Sequence, residues 1–225
     1  MARKKAGKPR KPTPGGKVSA ITPIEYDGWQ EAYDYFNRAL FDDMLDDVVI
    51  VHQNKANMRG SFAFQRYDRR DGRGKQHRIA LNTDVFVGMS DEVICSILVH
   101  EMVHCWQHQY GKPSRGYHNK QWAEAMKRIG LQPSSTGAPG GNETGARVSH
   151  YVVDGGLFQT AFQQLAARGW RVKLQSSAHV VDHKAPVSKV KFTCPECGQN
   201  VWGRPDTHVG CLDCDGAPTM RGLAS

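Results

Sequence analysis

Residues 100–104 read His-Glu-Met-Val-His. On a helix, side chains four apart share a face, so His100 and His104 can present two imidazoles to one metal ion. Glu101 is turned ~100° from His100, close enough to hold a water at that ion without ligating it. Two imidazoles, a third protein ligand and one open position make a catalytic zinc site, and a carboxylate at its edge supplies a general base. The chemistry open to such a set is hydrolysis.

A second set lies downstream. Cys194-Pro-Glu-Cys197 and Cys211-Leu-Asp-Cys214 are two C-x-x-C knuckles thirteen residues apart. Four thiolates at this spacing close a tetrahedral structural zinc site, a zinc ribbon. A redox pair is the weaker reading, because two knuckles with glycines following fit metal better. Cys95 and Cys105, within the helix that carries the histidines, are expected in the core.

The first set needs a third ligand. His108 is one further turn along the same straight helix, and three ligands spread over ~12 Å cannot converge on one ion with bonds of ~2 Å. Two downstream residues remain. Glu124 is in line with Lys120 and Arg128 at i, i+4 spacing, which suits an exposed, ion-paired face. His118 enters in phase with Trp122, Ala125, Met126 and Ile129, the stripe that must face the core. Helix phase therefore favours His118 over Glu124.

These residues need elements to hold them. Ser90 to Tyr110 reads as a long buried helix, with Ser90 as N-cap, Asp91 and Glu92 in the first turn, and Gly111 and Pro113 as stops. Asn119 to Ile129 reads as a shorter helix. From Asp27 to Phe41, Trp29, Tyr33, Phe36 and Leu40 recur at helical spacing. Val48–Val51 reads as a strand, and 60–67 and 77–82 as two more, joined by an Arg-rich turn containing Asp71-Gly72 and Gly74. Residues 132–146 are expected to be a flexible loop from their Gly, Ser and Pro content. Leu157–Arg168 is a third amphipathic helix closed by Gly169, and Trp170–Leu174 alternates like a half-exposed strand.

Composition narrows the classes. The 225 residues carry a net charge of +8, of which residues 1–17 hold +7, residues 18–167 hold −2 and residues 168–225 hold +3. The basic arm, with Arg3, Lys4, Lys5, Lys8, Arg10 and Lys11, is a candidate nucleic-acid contact, the alternative being a solvated tail. No apolar run reaches ~18 residues and no apolar segment follows the arm, so neither a membrane span nor a secretory signal is expected. A cytoplasmic or DNA-associated intracellular setting follows, with cysteines as thiols or ligands.

In order and spacing, YFNRALFDDML, RGSFAF, RIALN, LVHEMVH and HNKQWAEAMKRIG resemble the SprT-like zinc metallopeptidases of the SprT/Spartan type. The cysteine module is similar to the zinc ribbon of bacterial members. The resemblance implies an α+β fold: a zincin-like metallopeptidase domain around a central HExxH helix, plus a small C-terminal zinc ribbon. The resemblance covers about residues 29–131 and 190–216; with the composition of the ends, the expected organisation is a disordered basic arm over 1–20, the SprT-like peptidase domain over 21–185, and the ribbon and tail over 186–225. The resemblance maps the third zinc ligand to His118, although Asn119 stands where the family has Gly. One catalytic and one structural zinc ion are implied.

The implied activity is peptide-bond hydrolysis with Glu101 as general base. Protein substrates bound or crosslinked to DNA are implied. The basic arm or the ribbon flanks Lys189, Lys191 and Arg204 are the candidate DNA contacts, a purely structural or partner-docking ribbon being the alternative, and no membrane partner is expected. RIALN is expected to border the substrate cleft, and Tyr110, Tyr117, His150 and Tyr151 are all open as oxyanion partners. The alternative is a non-catalytic, zinc-containing DNA-binding accessory protein.

Overall fold

The structure, a computed structural model, describes residues 20–56, 58–177 and 190–222. The chain divides into two units, Met1–Ser177 and Ala178–Ser225. The basic arm residues Arg3, Lys4, Lys5, Lys8, Arg10 and Lys11, and also Lys189, lie outside the described residues.

In the first unit, helix α1 spans Ile21–Phe41 and buries Trp29, Tyr33 and Phe36. It begins six residues before the expected Asp27, because Pro23 falls in the first turn, where no backbone N–H is required. Asp42, at φ 55°, ends it in the left-handed region. The Asn37 amide then accepts from Leu45 N–H at 3.0 Å and donates to Leu45 O at 3.1 Å, turning the chain into strand β1, Val48–His52.

Strands β2 (Gly60–Asp68) and β3 (Lys75–Leu81) form the expected hairpin, and the sheet order is β1-β3-β2. β1 runs parallel to β3, and β2 antiparallel to it. The edge position that the resemblance implies for RIALN, where a substrate strand could add, is thus corrected: β3 is the central strand, with Ile79, Ala80 and Leu81 fully buried, and β2 is an edge. Register breaks between Ala63 and Tyr67, where Gln65 takes φ 45° and its N–H donates to His77 Nδ1 at 2.9 Å.

Helix α2 runs Asp91–Tyr110, capped by Ser90 Oγ, which accepts from Val93 N–H. It is the middle of the core, with Cys95, Leu98, Val99, Met102, Val103 and Cys105 inaccessible. Helix α3, Lys120–Arg128, starts on Asn119, whose side chain accepts from Trp122 N–H at 3.1 Å. Trp122, Ala125 and Met126 form its buried face, with Ile129 just beyond.

Residues 132–146 are not the expected loop throughout. Strand β4, Leu131–Ser134, pairs antiparallel with β5, Ser149–Val152, and the segment between them is pinned to its surroundings. Glu143 accepts from Lys127 Nζ at 2.9 Å and from Gln132 Nε2 at 2.7 Å. His118 and Gly145 exchange backbone hydrogen bonds at 2.8 and 3.1 Å.

Helix α4, Leu157–Ala167, buries Phe158, Ala161 and Leu165. The strand expected over 170–174 does not form. Trp170 instead plugs the core edge-on to Trp29 at 5.6 Å, its Nε1–H donating to Gly28 O at 2.7 Å.

The second unit is a three-stranded sheet in the order β7-β6-β8, from Asn200–Gly203, Val190–Thr193 and Arg221–Gly222. Its small core is Phe192, Cys194, Cys211 and Met220. Among the described residues the architecture is mixed α/β, four α-helices with small sheets, compatible with the α+β class. Among the described residues, no helix is long and apolar enough to cross a membrane.

Candidate metal centres

His100 and His104 project from one face of α2, and His118 arrives from the residue before the α3 cap. One ring nitrogen from each lies within 4.8 Å of the others, and no further His, Cys, Asp or Glu among the described residues joins them. His104 Nε2 and His118 Nε2 are 3.2 Å apart. Two nitrogens ~2.0–2.1 Å from a tetrahedral ion stand about 3.3 Å from each other, so the spacing suits zinc.

Tautomer chemistry agrees with that fit. The Gly145 carbonyl can only accept, so the 3.1 Å contact places a proton on His118 Nδ1. In a neutral ring the lone pair is then on Nε2, facing His104. Burial depresses all three imidazoles, His104 to about 3 with His118 and His108 beside it, which keeps them in the neutral, ligating form. Trp122 backs the three rings, with its centroid 4.9 Å from that of His100, 5.4 Å from His104 and 4.3 Å from His118.

Glu101, on the same helix, is 5 % exposed and outside the histidine group. The Phe62 backbone N–H favours its charged form, but burial outweighs this and pushes its pKa up to about 8. A buried carboxyl with few competing partners is suited to take up and return a proton.

The other sequence candidates are elsewhere. Glu124 is exposed and ion-paired with Lys127 at 2.9 Å. His108 stacks on Phe64, centroids 4.9 Å apart, and lies tilted against Phe62 at 5.4 Å. The Tyr110 hydroxyl donates to Met44 O at 2.6 Å. Of the four residues open as oxyanion partners, His150 contacts the histidine set: its Nδ1 is 3.1 Å from His100 Nδ1. A polar residue at a buried position of a short strand was the available signal.

In the second unit, Cys194, Cys197, Cys211 and Cys214 also form a group within 4.8 Å. The 194–214, 197–211 and 211–214 sulfur pairs are 3.8, 3.7 and 3.8 Å apart. That is too long for a disulfide and close to the ~3.75 Å expected of thiolates ~2.3 Å from one tetrahedral zinc ion. Backbone N–H groups of Cys197 and Glu196 hold the Cys194 thiol down at about 7. Both groups could hold metal ions, and both donor sets fit zinc.

The family model of the SprT-like family matches residues 29–144, about half of the chain. The chain belongs to the SprT-like family. Membership is consistent with a metallopeptidase-type domain, and the matched segment contains His100, Glu101, His104 and His118. The cysteine group and His150 fall outside it. No curated protein and no solved structure matches the chain.

Proposed function

We propose that this protein is a zinc-dependent metalloendopeptidase with a zincin-like active site, its zinc held by His100, His104 and His118. A second, structural zinc would be held by Cys194, Cys197, Cys211 and Cys214. The observation that carries the reading is the three-histidine group with a buried, non-ligating Glu101 beside it. Three protein ligands leave an open position, which a catalytic site requires and a purely structural one does not. This speaks against the accessory-protein reading.

When bound, zinc supplies a Lewis acid that polarises a carbonyl and acidifies water. Glu101 takes the proton from the attacking water and passes it to the leaving amine, its carboxylate lying against Gly60 with the Phe62 N–H favouring the charged form. Phe62 belongs to the edge strand β2, so an extended substrate that adds to this edge runs past the general base.

DNA-associated or DNA-crosslinked proteins are the substrates we favour, in an intracellular setting. The support is electrostatic: the first seventeen residues carry +7. In the ribbon, Trp202 is 62 % exposed and pairs across the strands with Lys191, a face able to meet a nucleic acid.

The deciding experiment is metal counting by mass spectrometry on wild type, a His100→Ala/His104→Ala double variant and Cys197→Ala, alongside cleavage of a protein substrate. We expect two zinc ions in wild type and one in each variant, with cleavage absent from the histidine variant. A wild type that binds zinc at both groups yet cleaves nothing, with or without DNA, supports the accessory-protein reading instead.

A further inference from the structure

We propose that Ser96 and His150 form a hydrogen-bond relay that holds the proton of His100 on Nδ1, leaving its Nε2 as the nitrogen for the metal. The inference rests on the metal-site reading above. It concerns positioning residues, since neither Ser96 nor His150 touches the reacting atoms.

Three contacts define the relay. Ser96 Oγ lies 2.7 Å from Val93 O, His150 Nε2 lies 2.8 Å from Ser96 Oγ, and His150 Nδ1 lies 3.1 Å from His100 Nδ1. A backbone carbonyl has no proton to give, so the single hydroxyl proton of Ser96 goes to Val93. Ser96 Oγ must then accept from His150 Nε2–H. With its proton on Nε2, neutral His150 offers a lone pair at Nδ1, which accepts from His100 Nδ1–H. The remaining nitrogen of His100 is then unprotonated.

The opposite direction fails at both ends. It would leave Ser96 and Val93 oxygens facing each other at 2.7 Å without a proton between them. It would also make His100 Nδ1 the acceptor and put its proton on Nε2, where a metal bond must form. Only one direction of the chain is compatible with ligation, and Ser96 selects it.

The relay is dry: Ser96 is 2 % exposed and His150 8 %. Water therefore does not exchange for its members, and their directions are set by the protein. His150 sits on β5, outside the segment matched by the family, so this support for His100 is supplied by a part of the chain that the match does not cover. Residues that hydrogen-bond the far nitrogen of a ligating histidine typically carry ~10–100-fold in metal affinity.

The test uses the full chain loaded with zinc. Long-range proton–nitrogen correlation spectra of wild type should show His150 protonated at Nε2 and His100 at Nδ1; a His150 proton on Nδ1 overturns the relay. Titration with a chromophoric chelator should show zinc leaving the histidine site of His150→Leu ~10–100-fold more readily, with the cysteine-bound zinc unchanged. His150→Asn, whose amide oxygen can accept from His100 Nδ1–H, should recover most of that loss. Ser96→Ala should weaken the same site and abolish the single His150 tautomer. Undiminished affinity in His150→Leu, or no recovery in His150→Asn, overturns the relay while leaving the metal site intact. A wild type that holds zinc at the cysteines alone overturns both.

Discussion

Gly60 leaves the space that the Glu101 carboxylate occupies. A β-carbon at residue 60 would stand 2.8 Å from Glu101 Oε1 and 3.0 Å from Ile97 Cγ2. Strand β2 approaches helix α2 this closely only because residue 60 has no side chain. Gly60→Ala should therefore displace the general base while sparing the ligands, and a misplacement of ~1 Å can cost about 100-fold in rate. Peptidase assays beside metal counts check this: two zinc ions with sharply reduced cleavage is the expected pair. Wild-type cleavage would show that the carboxylate position is not critical.

Glu101→Gln should keep both metals, because Glu101 is outside the ligand group, and lose at least ~100-fold in cleavage with or without DNA present. Cleavage retained by a zinc-loaded Gln variant contradicts the assignment of the base.

Substitutions at 118 and 124 should separate. His118→Ala should empty the histidine site and leave the cysteine site filled. Glu124→Ala removes a half-exposed ion pair and should change stability by no more than ~1 kcal/mol, with both ions kept. Metal loss confined to Glu124→Ala would reverse the ligand assignment.

The metal-free protein should show two opposed pH slopes. Burial lowers His104 from 6.5 to about 3 and His150 to about 4, so the unfolded chain binds more protons there. That part of the stability is complete above pH 6.5 and is lost as pH falls towards the folded values. Glu101, raised from 4.5 to about 8, has the other sign: the folded state keeps a proton that the unfolded chain releases. Its contribution is complete below pH 4.5 and is lost as pH rises through about 8. Glu101→Gln removes this second slope alone. Thermal unfolding in chelator should show the variant gaining on wild type from pH 5 to 8, and a constant gap would contradict the buried carboxyl.

Deleting residues 1–17 removes seven cationic side chains. DNA affinity should fall with little dependence on base sequence, and the plot of log affinity against log salt should flatten. Cleavage of a short unstructured peptide should survive. Equal slopes for the full and truncated chains would return the arm to a solvated tail.

The candidate metal groups were legible where chemistry imposes spacing. His100 and His104 declare themselves by i, i+4 geometry, the cysteines by two knuckles, and the place of His118 by the Trp122-Ala125-Met126-Ile129 stripe, all buried as phase required. The sequence was silent where tertiary contacts override local preference. Pro133 and the Ser and Gly residues around it argue for a loop, yet β4 forms because β5 pairs with it and Glu143 and Gly145 are held by residues far away in the chain. Trp170–Leu174 alternates like a strand, but no ladder forms there: Trp170 is seated on Trp29 and Val172 packs against the core without a strand partner. Which strand is central could not be read, since β3 is sandwiched by a parallel partner brought in from before the hairpin.

The pairing of His118 with Gly145 joins residues 27 apart through two backbone hydrogen bonds and one from the imidazole. A metal ion gripped by His118 is therefore also a reversible cross-link between α2 and the stretch that carries Gly145. Opening that stretch and releasing the ion become one equilibrium, with a free-energy gap that widens with metal concentration. If His118 holds the ion as proposed, amide hydrogens at 118 and 145, neither of them on an atom that would touch it, should exchange with solvent at a rate set by occupancy, which would make the loop a gauge of a metal it does not ligate.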